Sequence, residues 1–328
     1  MARRFALAAA NAGGLVAGAL LDAVLGDPRR FHPVAGFGQA AAALERRFYA
    51  PDRGAGAGFA AIAVGAPVAL AAVATVATRN HLWVRAGLVA ATAWAVLGGT
   101  TLRREATIVV DALERGDVGV ARRRLPHLCG RDPAVLDEAE LSRATVESVA
   151  ENSSDAEVAP LVWGAVAGLP GLVGYRAVNT LDAMVGHRSV RYKDFGTVAA
   201  RLDDVANLAP ARLTAALTVL VAPLAGGSPA GALRTWLRDG GRHPSPNSGR
   251  CEAAMAGALG VRLGGRNVYE GLVEHRPTLG NGRTPKPADI CRATRISAAV
   301  GAVALALCAG HVLAGPARRA LFARLVRR

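Results

Sequence analysis

Residues 55–78 read AGAGFAAIAVGAPVALAAVATVAT and carry no charged side chain. An α-helix needs about 20 apolar residues to cross the hydrocarbon core of a bilayer, so this stretch is long enough to span it. Residues 86–102 form a second, slightly short apolar run, bounded by Arg85 and by Arg103 and Arg104. Because the connection between the two runs is brief, we expect them to form a helical hairpin in a membrane.

The composition of the whole chain is typical of a membrane protein. Of its 328 residues, 52% are hydrophobic and 20% are charged, whereas soluble domains carry about 25% charged residues. Lys and Arg outnumber Asp and Glu by 39 to 25, which gives a net charge of +14. Aromatic residues make up only 5% of the chain and form no stacking pattern with the basic ones. We therefore assign the positive charge to the loops of a membrane protein and expect no nucleic-acid partner.

Four further segments are candidates for the membrane. They lie near residues 5–25, 158–178, 205–225 and 296–315. The first follows two arginines and resembles a secretory signal. Because it runs on into LDAVLGDPRRFHPV, we expect an uncleaved membrane helix or a re-entrant segment. The second and third contain prolines or polar residues, and we expect them to be interrupted or re-entrant helices that line a cavity.

These segments predict an all-α, polytopic integral membrane protein with cytoplasm-facing amphipathic helices and loops. We treat 1–328 as a single membrane-embedded domain in which 103–154 and 226–295 are soluble segments. The basic loops 26–54 and 103–154 indicate the cytoplasmic side, and the hairpin between them would place both on the same side. The sequence leaves the topology after residue 158 open.

Three carboxylates recur at helical spacing in the segment ESVAENSSDAEVAPLVW. Glu147, Glu151 and Asp155 fall at i, i+4 and i+8, so they share one face if the helix continues that far. Like charges at this spacing repel each other. A bound cation or a basic substrate would relieve the repulsion, and pairing with nearby arginines is the alternative.

Two adjacent carboxylates stand in the segment ARLDDVANLAPAR. Asp203 and Asp204 follow Arg201, and Asn207 and Arg212 lie just beyond. Carboxylates with arginine and amide groups suit a Mg²⁺-nucleotide site, because Mg²⁺ takes few protein ligands and phosphates complete its shell. The alternative is a structural ion pair at the membrane boundary. The chain contains no Walker-type GxxxxGK[ST] loop, so any ATP site would be non-standard.

A series of motifs closely resembles the CobD/CbiB family of cobalamin biosynthesis. In chain order they read GDPRRFHPV, ESVAENSSDAEVAPLVW, YRAVNTLDAMVGHRSVRYKDFG, ARLDDVANLAPARLTA, HPSPNSGRCEAAMAGALGVRLGG and NVYEG. The resemblance runs from about Leu21 to Gly282, which is most of the chain. His187 stands where the family pattern leads us to expect an aromatic residue, and Ser153 and Ser154 fill a variable pair. Neither departure removes a charged group.

The resemblance implies an adenosylcobinamide-phosphate synthase in the bacterial inner membrane, with its active site on the cytoplasmic side. Such an enzyme joins a free carboxylate of adenosylcobyric acid to (R)-1-aminopropan-2-ol, or to its O-phosphate, through an amide bond. The reaction is taken to depend on ATP and Mg²⁺. The resemblance also makes later enzymes of nucleotide-loop assembly plausible partners.

This chemistry suggests roles for the polar residues. ATP would convert the carboxylate to an acyl phosphate, stabilised by Mg²⁺ and arginines, and a carboxylate could accept the proton of the amine. We assign Asp203, Asp204 and Asp182 to the metal and nucleotide, and Arg201, Arg212 and Lys193 to phosphate groups. Glu147, Glu151 and Asp155 would hold the ammonium group or act as base. Further candidates for the pocket are Asp27, His32, Asn152, Asn179, Asn207, Ser245 and Asn247.

Two rival functions remain open to the sequence. A membrane phosphatidyltransferase-like enzyme would need a DxxDG…ARxxxxxGxxxDxxxD arrangement, which the chain lacks. A non-enzymatic corrinoid-binding carrier or assembly factor needs only polar groups within the membrane. The carrier would bind a corrinoid without consuming nucleotide.

Overall fold

The computed structural model describes residues 1–28, 32–187, 189–269 and 272–325. The motifs GDPRRFHPV, MVGHRSV and NVYEG therefore lie partly outside the described residues.

The described chain is mostly α-helical. Its α-helices are α1 (Ala2–Leu25), α2 (Pro33–Phe48), α3 (Arg53–Ala77), α4 (Leu82–Val96), α5 (Gly99–Glu114), α6 (Val118–Arg124), α7 (Glu138–Ser153), α8 (Ala159–Ala167), α9 (Leu169–Leu181), α10 (Thr197–Val221), α11 (Pro229–Asp239), α12 (Ser248–Leu259) and α13 (Pro287–Leu325). Two strands, β1 (Leu263–Tyr269) and β2 (Leu272–Leu279), pair antiparallel. Turns of π-helix follow α7 at Ser154–Val158 and α9 at Asp182–Gly186.

The predicted all-α membrane fold is confirmed, because the structure is 78% helical and its described residues include five helical segments long and apolar enough to cross a membrane. These segments are Ala2–Leu25, Arg53–Asn80, Leu82–Glu114, Thr197–Ala225 and Pro287–Arg318. The small β-hairpin, in the segment predicted to be soluble, was not expected.

The segment 158–178 is interrupted, as the sequence predicted. α8 ends before Gly168, whose φ of 65° lies in the left-handed region, and α9 begins immediately after it. A Cβ atom at Gly171 would overlap the carbonyl oxygen of Trp163. The two short helices are therefore folded closely against each other. Their placement in the membrane stays a prediction.

The segment 205–225 is not interrupted where the sequence predicted. α10 continues through Pro210, although proline has no N–H to donate to the carbonyl four residues earlier. That carbonyl belongs to Ala206, and it accepts a hydrogen bond of 3.0 Å from the indole N–H of Trp163. A side chain thus replaces the missing backbone donor, and the helix persists.

The chain divides into two compact units. Unit 1 comprises Met1–Gly98, Ala159–Ala206 and Ala304–Arg328, and unit 2 comprises Gly99–Val158 and Asn207–Val303.

In unit 1, α1 packs along α4. Gly14 and Gly18 form a GxxxG pair on α1, and such small residues allow two helix backbones to approach closely in membranes. A Cβ at Gly14 would lie 2.8 Å from the carbonyl oxygen of Ala86, and one at Gly18 would lie 2.6 Å from that of Ala90. α1 therefore has the packing of a membrane helix. Whether it is cleaved stays a prediction.

A second part of unit 1 packs around aromatic side chains. Phe59 of α3, Leu181 of α9 and Phe195 form one buried cluster with neighbouring residues. A Cβ at Gly56 would overlap the backbone of Phe195. The RYKDFG segment is thereby held tightly against α3.

In unit 2, α7 is buried on all sides rather than amphipathic, as every residue from Leu141 to Ala150 is buried. Asp137 caps α7 through a capping box with Glu140. Because α7 buries charged side chains as well as apolar ones, each charge needs a partner inside the protein.

Candidate functional site

Glu147 of α7 is buried in an ion-pair network within unit 2. Its carboxylate contacts the guanidinium of Arg131 and lies 3.5 Å from that of Arg143. It also accepts a hydrogen bond of 2.6 Å from the backbone N–H of Gly264. The alternative of pairing with arginines thus applies to Glu147, inside the protein rather than on its surface. A role in binding an ammonium group stays a prediction, which these partners disfavour.

Glu151, one turn further along α7, lies beside the HPSPNSG loop. The Ser248 hydroxyl donates a hydrogen bond of 2.6 Å to Glu151 Oε1. Ser245 Oγ accepts hydrogen bonds of 3.2 Å from the backbone N–H groups of Asn247 and Ser248. The loop is therefore folded around its own serine, with Ser248 directed at the carboxylate. Glu151 is half-buried and remains accessible.

Arg212 of α10 reaches the same loop. Its Nη1 lies 3.5 Å from Asn247 Oδ1 and donates a hydrogen bond of 2.7 Å to the carbonyl of Leu208. Unit 2 thus brings four of the predicted residues, Glu151, Ser245, Asn247 and Arg212, into one hydrogen-bonded chain.

A histidine and a glutamate that the sequence did not single out lie behind this chain. The Ser245 N–H donates a hydrogen bond of 3.0 Å to His243 Nδ1. The neutral imidazole therefore carries its proton on Nε2, which lies 3.9 Å from Glu252 Oε1. Burial, followed by the nearby charges of Glu147 and Glu151, raises the pKa of Glu252 well above its usual value. Burial, followed by the charge of Arg276, lowers the pKa of His243.

The remaining polar residues of this segment lie nearby on unit 2. Asn152 donates a hydrogen bond of 2.9 Å to the carbonyl of Ser148, on its own helix. Asp155 lies in the π-helical turn after α7, near Cys251. Burial, and then the charges of Asp155 and Glu151, raise the pKa of the Cys251 thiol. The π-turn breaks the regular α-helical spacing that the sequence pattern assumed for the third acid.

Unit 1 holds a second polar cluster, between α9 and α10. Asn179 donates a hydrogen bond of 3.3 Å to Asp203 Oδ1, and Arg176 donates one of 3.3 Å to Asn179 Oδ1. Asp204 instead lies 3.7 Å from Arg201, one turn earlier on the same helix. Successive helical residues do not face each other, so the two aspartates point in different directions.

The fit of this cluster to Mg²⁺ follows from that geometry. The part of the chain that the structure describes contains no group of three or more His, Cys, Asp or Glu residues able to hold a metal ion. Mg²⁺ is commonly bound through one or two carboxylates, with the phosphates of a nucleotide and water completing its shell. Asp203 supplies one such carboxylate, and the Asn179 amide lies beside it. A joint site with Asp204 stays a prediction.

Four other predicted residues belong to unit 1, and the structure gives them different surroundings. His32 caps α2 by accepting a 3.2 Å hydrogen bond from the Val34 N–H. Asp27 follows the end of α1 and is half-buried, Asp182 begins the π-turn after α9, and Lys193 is exposed. Asn207, the last of the predicted residues, is buried in unit 2.

A network that the sequence pattern did not reveal holds RYKDFG in place. Glu45 of α2 is buried and accepts hydrogen bonds of 2.9 Å from both Arg191 Nη2 and the Tyr192 hydroxyl. The Arg191 guanidinium also stacks 4.0 Å from the ring centre of Tyr49. His187 packs edge-on against Tyr192 at 5.0 Å, so it fills the aromatic place that the family pattern predicted. Glu45, a carboxylate on the amphipathic helix α2, was the only local feature of the sequence that could have indicated this network.

These features define a class of protein: a polytopic helical membrane protein whose carboxylates, amides and arginines form one polar cluster in each of its two units. The family follows from comparison with known proteins. The model of the CobD/Cbib protein family matches residues 15–297. The chain belongs to the CobD/CbiB family.

Curated relatives cover most of the chain. The chain is 55% identical over 294 residues to a protein from Mycobacterium tuberculosis named "Cobalamin biosynthesis protein CobD", an alignment that covers 90% of this chain and 93% of the relative. It is 48% identical over 281 residues to a protein of the same name from Geobacter metallireducens, covering 84% and 88%. A third, from Rhodobacter capsulatus, is 45% identical over 237 residues, covering 70% and 74%. No solved structure matches the chain.

Proposed function

We propose that this protein acts in cobalamin biosynthesis as an amide-bond-forming synthase. It joins adenosylcobyric acid to (R)-1-aminopropan-2-ol or its O-phosphate and gives adenosylcobinamide or its phosphate. The family membership and the names of the relatives support the pathway. The observation that carries the reaction is the chain from Glu151 through the serine loop to Arg212, because it joins a carboxylate for an amine to a guanidinium for a phosphate.

Glu151 is the acid best placed to receive the amine. The amine reaches the protein as an ammonium ion and must lose a proton before it attacks a carbonyl. An ionised carboxylate holds the ammonium and then accepts its proton. Burial raises the pKa of Glu252 well above its usual value, and Glu147 is already bonded to Arg131 and Arg143. Among these three acids, Glu151 is therefore the one left accessible to an amine, and the hydroxyl of Ser248 orients it.

Arg212 and the loop before α12 would receive the phosphate of the substrate. The Arg212 guanidinium contacts the Asn247 side chain loosely, at 3.5 Å, and uses Nη1 to donate to the Leu208 carbonyl. Its other N–H groups can donate to an anion beside the loop. Arginine binds phosphate through two parallel N–H groups. This arrangement favours the O-phosphate over the free aminoalcohol.

In unit 1, Asp203 and Asn179 would hold Mg²⁺ with the nucleotide. A nucleotide held there would supply the phosphoryl group that activates the corrin carboxylate, because oxide is a poor leaving group. Arg201 and Lys193 are exposed, so both cations are available to neutralise phosphate charge. Asp182 and Asp204 are the further candidates for this site.

The basic loops support an active site on the cytoplasmic face of the bacterial inner membrane. Lys and Arg concentrate in loops on that side, and the proposed nucleotide is available there. Later enzymes of nucleotide-loop assembly would receive the product at the same face. Membrane lipid surrounds the apolar helices.

The test is a coupled assay on the detergent-purified full chain. It contains adenosylcobyric acid, Mg-ATP and either aminopropanol or its phosphate, with product followed by mass spectrometry and nucleotide in parallel. Glu151→Gln keeps the shape of the side chain but cannot accept a proton. We expect this variant to lose about 10²- to 10⁴-fold in rate, as for loss of a general base. Glu114→Gln removes an exposed charge elsewhere on unit 2 and should keep the wild-type rate.

The variants test the proposed reaction and the assigned residues independently of each other. Product from both wild type and Glu151→Gln at equal rates would keep the reaction and reject the assigned base. Asp203→Asn should reduce nucleotide use more than Asp204→Asn, because Asp203 faces the Asn179 amide. Tight corrinoid binding by the wild type, with no product and no nucleotide consumed, would reject the synthase in favour of the carrier.

A further inference from the structure

A small cavity of about 210 Å³ opens beside the start of the β-hairpin in unit 2. Its lining residues come from α7, from β1 and the residue before it, and from two threonines: Glu140, Arg143, Arg262, Leu263, Gly264, Gly265, Arg266, Thr278 and Thr284. None of them was predicted to belong to the site of amide formation, although VRLGG is part of a motif that carries the family resemblance.

The lining is strongly basic. Three guanidinium groups face one carboxylate, and Glu140 uses an oxygen of that carboxylate to accept a hydrogen bond from the Asp137 N–H. Including Glu147 and its second partner Arg131 still leaves two positive charges in excess. Positive charge at this density is unfavourable unless an anion neutralises it.

The backbone around the cavity is shaped by a β-bulge. The register shifts between Leu263 and Gly265, and Gly264 and Gly265 have φ values of 79° and 91°. A Cβ at Gly264 would overlap the carbonyl of Pro277, whereas one at Gly265 would meet nothing within 4 Å. The bulge therefore requires glycine on one side and leaves open space on the other. Bulges of this kind are frequent next to functional sites.

The side chains differ in how firmly they are held. Arg143 donates hydrogen bonds to the carbonyls of Gly264 and Arg266, the latter at 2.8 Å, so the bulge fixes its guanidinium. Arg262 donates to Thr284 Oγ1 at 3.1 Å, which leaves the threonine O–H able to donate elsewhere. Within the described part of the chain, no hydrogen bond or ion pair engages the guanidinium of Arg266, which is exposed.

We infer that this cavity binds a phosphate group, from free phosphate or from a small organic phosphate. The guanidinium groups of Arg262 and Arg266 and the two threonine hydroxyls can donate to the several oxygens of phosphate, and Arg143, held by the bulge, adds a third positive charge. The volume is below the roughly 300–1,000 Å³ of pockets that enclose whole drug-sized ligands, so it suits one such group rather than an entire nucleotide. The proposal does not depend on the synthase reaction.

The test is isothermal titration calorimetry of the full chain in detergent, with inorganic phosphate at constant ionic strength. We expect one saturable phosphate site in the wild type that depends on Arg266. Arg266→Gln should weaken it by about tenfold or more, as loss of a charge-assisted contact. This variant loses no hydrogen bond or ion pair among residues 1–28, 32–187, 189–269 and 272–325, so we expect folding to be preserved. Arg234→Gln is the matched control, because it removes an exposed arginine of unit 2 outside the cavity.

Three results would overturn the inference. The first is the absence of saturable binding up to about 10 mM phosphate. The second is an equal weakening of binding by Arg234→Gln. The third is loss of binding in Arg212→Gln while Arg266→Gln still binds phosphate. Repeating the titration with aminopropanol phosphate distinguishes the sources. Tighter binding than inorganic phosphate, again lost in Arg266→Gln, identifies an organic phosphate, and equal binding identifies the free ion.

Discussion

Replacing Glu147 by alanine should destabilise the protein severely, although the sequence placed this residue in the substrate site. The substitution leaves the guanidinium of Arg131, which is only 5% exposed, without its carboxylate. It also removes the closest acceptor of the Gly264 N–H, at 2.6 Å. Two kinds of buried donor lose their partner at once.

The size of the effect follows from these contacts. Breaking a buried ion pair by removing one partner costs about 3–5 kcal/mol. An unsatisfied backbone N–H adds about 1–3 kcal/mol. Since the two losses share one side chain and are not additive, we expect a total of roughly 4–6 kcal/mol. Glu147→Gln keeps an oxygen for Gly264 but loses the charge, so its cost should be smaller.

The assay is thermal unfolding of the purified chain in detergent, followed by tryptophan fluorescence. A loss of this size corresponds to a midpoint lowered by roughly 8–20 °C. Glu114→Ala, an exposed glutamate of the same unit, should leave the midpoint unchanged. If Glu147→Ala unfolds at the wild-type temperature but has lost activity, the structural role is refuted and the substrate role returns.

Three further predictions concern packing and protonation. Gly18→Ala should lower the unfolding midpoint in detergent, because overpacking costs about 1–3 kcal/mol. Gly13→Ala should leave the midpoint unchanged, since an added Cβ there meets nothing within 4 Å. Equal effects of the two variants would exclude the close contact between α1 and α4. Trp163→Phe should cost about 1 kcal/mol of unfolding free energy. The cost should be smaller in a Pro210→Ala background, because the N–H of residue 210 can then donate to the Ala206 carbonyl. An unchanged cost in this double-mutant cycle would contradict the role of Trp163. Burial raises the pKa of Glu252, so the folded protein keeps a proton that an unfolded glutamate releases above about pH 4.3, and stability falls as pH rises toward the folded pKa. Glu252→Gln should flatten this fall in midpoints measured from about pH 5 to 8, and parallel curves would refute it.

Much of the fold follows from the sequence because membrane insertion depends on a local quantity. The span at 55–78 is long, apolar and uncharged, and no distant contact is needed to make it cross a bilayer. The break at Gly168 was also predictable, since glycine and proline act on the chain at their own position. The continuity of α10 was not, because the donor that replaces the missing N–H of Pro210 comes from Trp163, a tryptophan on another helix.

Some features of the candidate site could likewise be predicted from consecutive residues, whereas others depend on distant contacts. Helical spacing placed Glu147 and Glu151 one turn apart, and the structure has both on α7. Spacing could not tell that Glu147 is neutralised by Arg131 and by a backbone N–H 117 residues away, whereas Glu151 faces a serine. Nor could it tell that Asp203 and Asp204, adjacent in sequence, are directed apart by the helix.

The order of amino acids was therefore enough to establish the membrane class, the family and the chemical types of group available. Which of those groups are already paired, and which are left accessible to a ligand, became known only from the fold. The hydrophobic length of a helix is a property of consecutive residues. The charge state and accessibility of a carboxylate depend instead on burial and on partners that folding brings from distant parts of the chain.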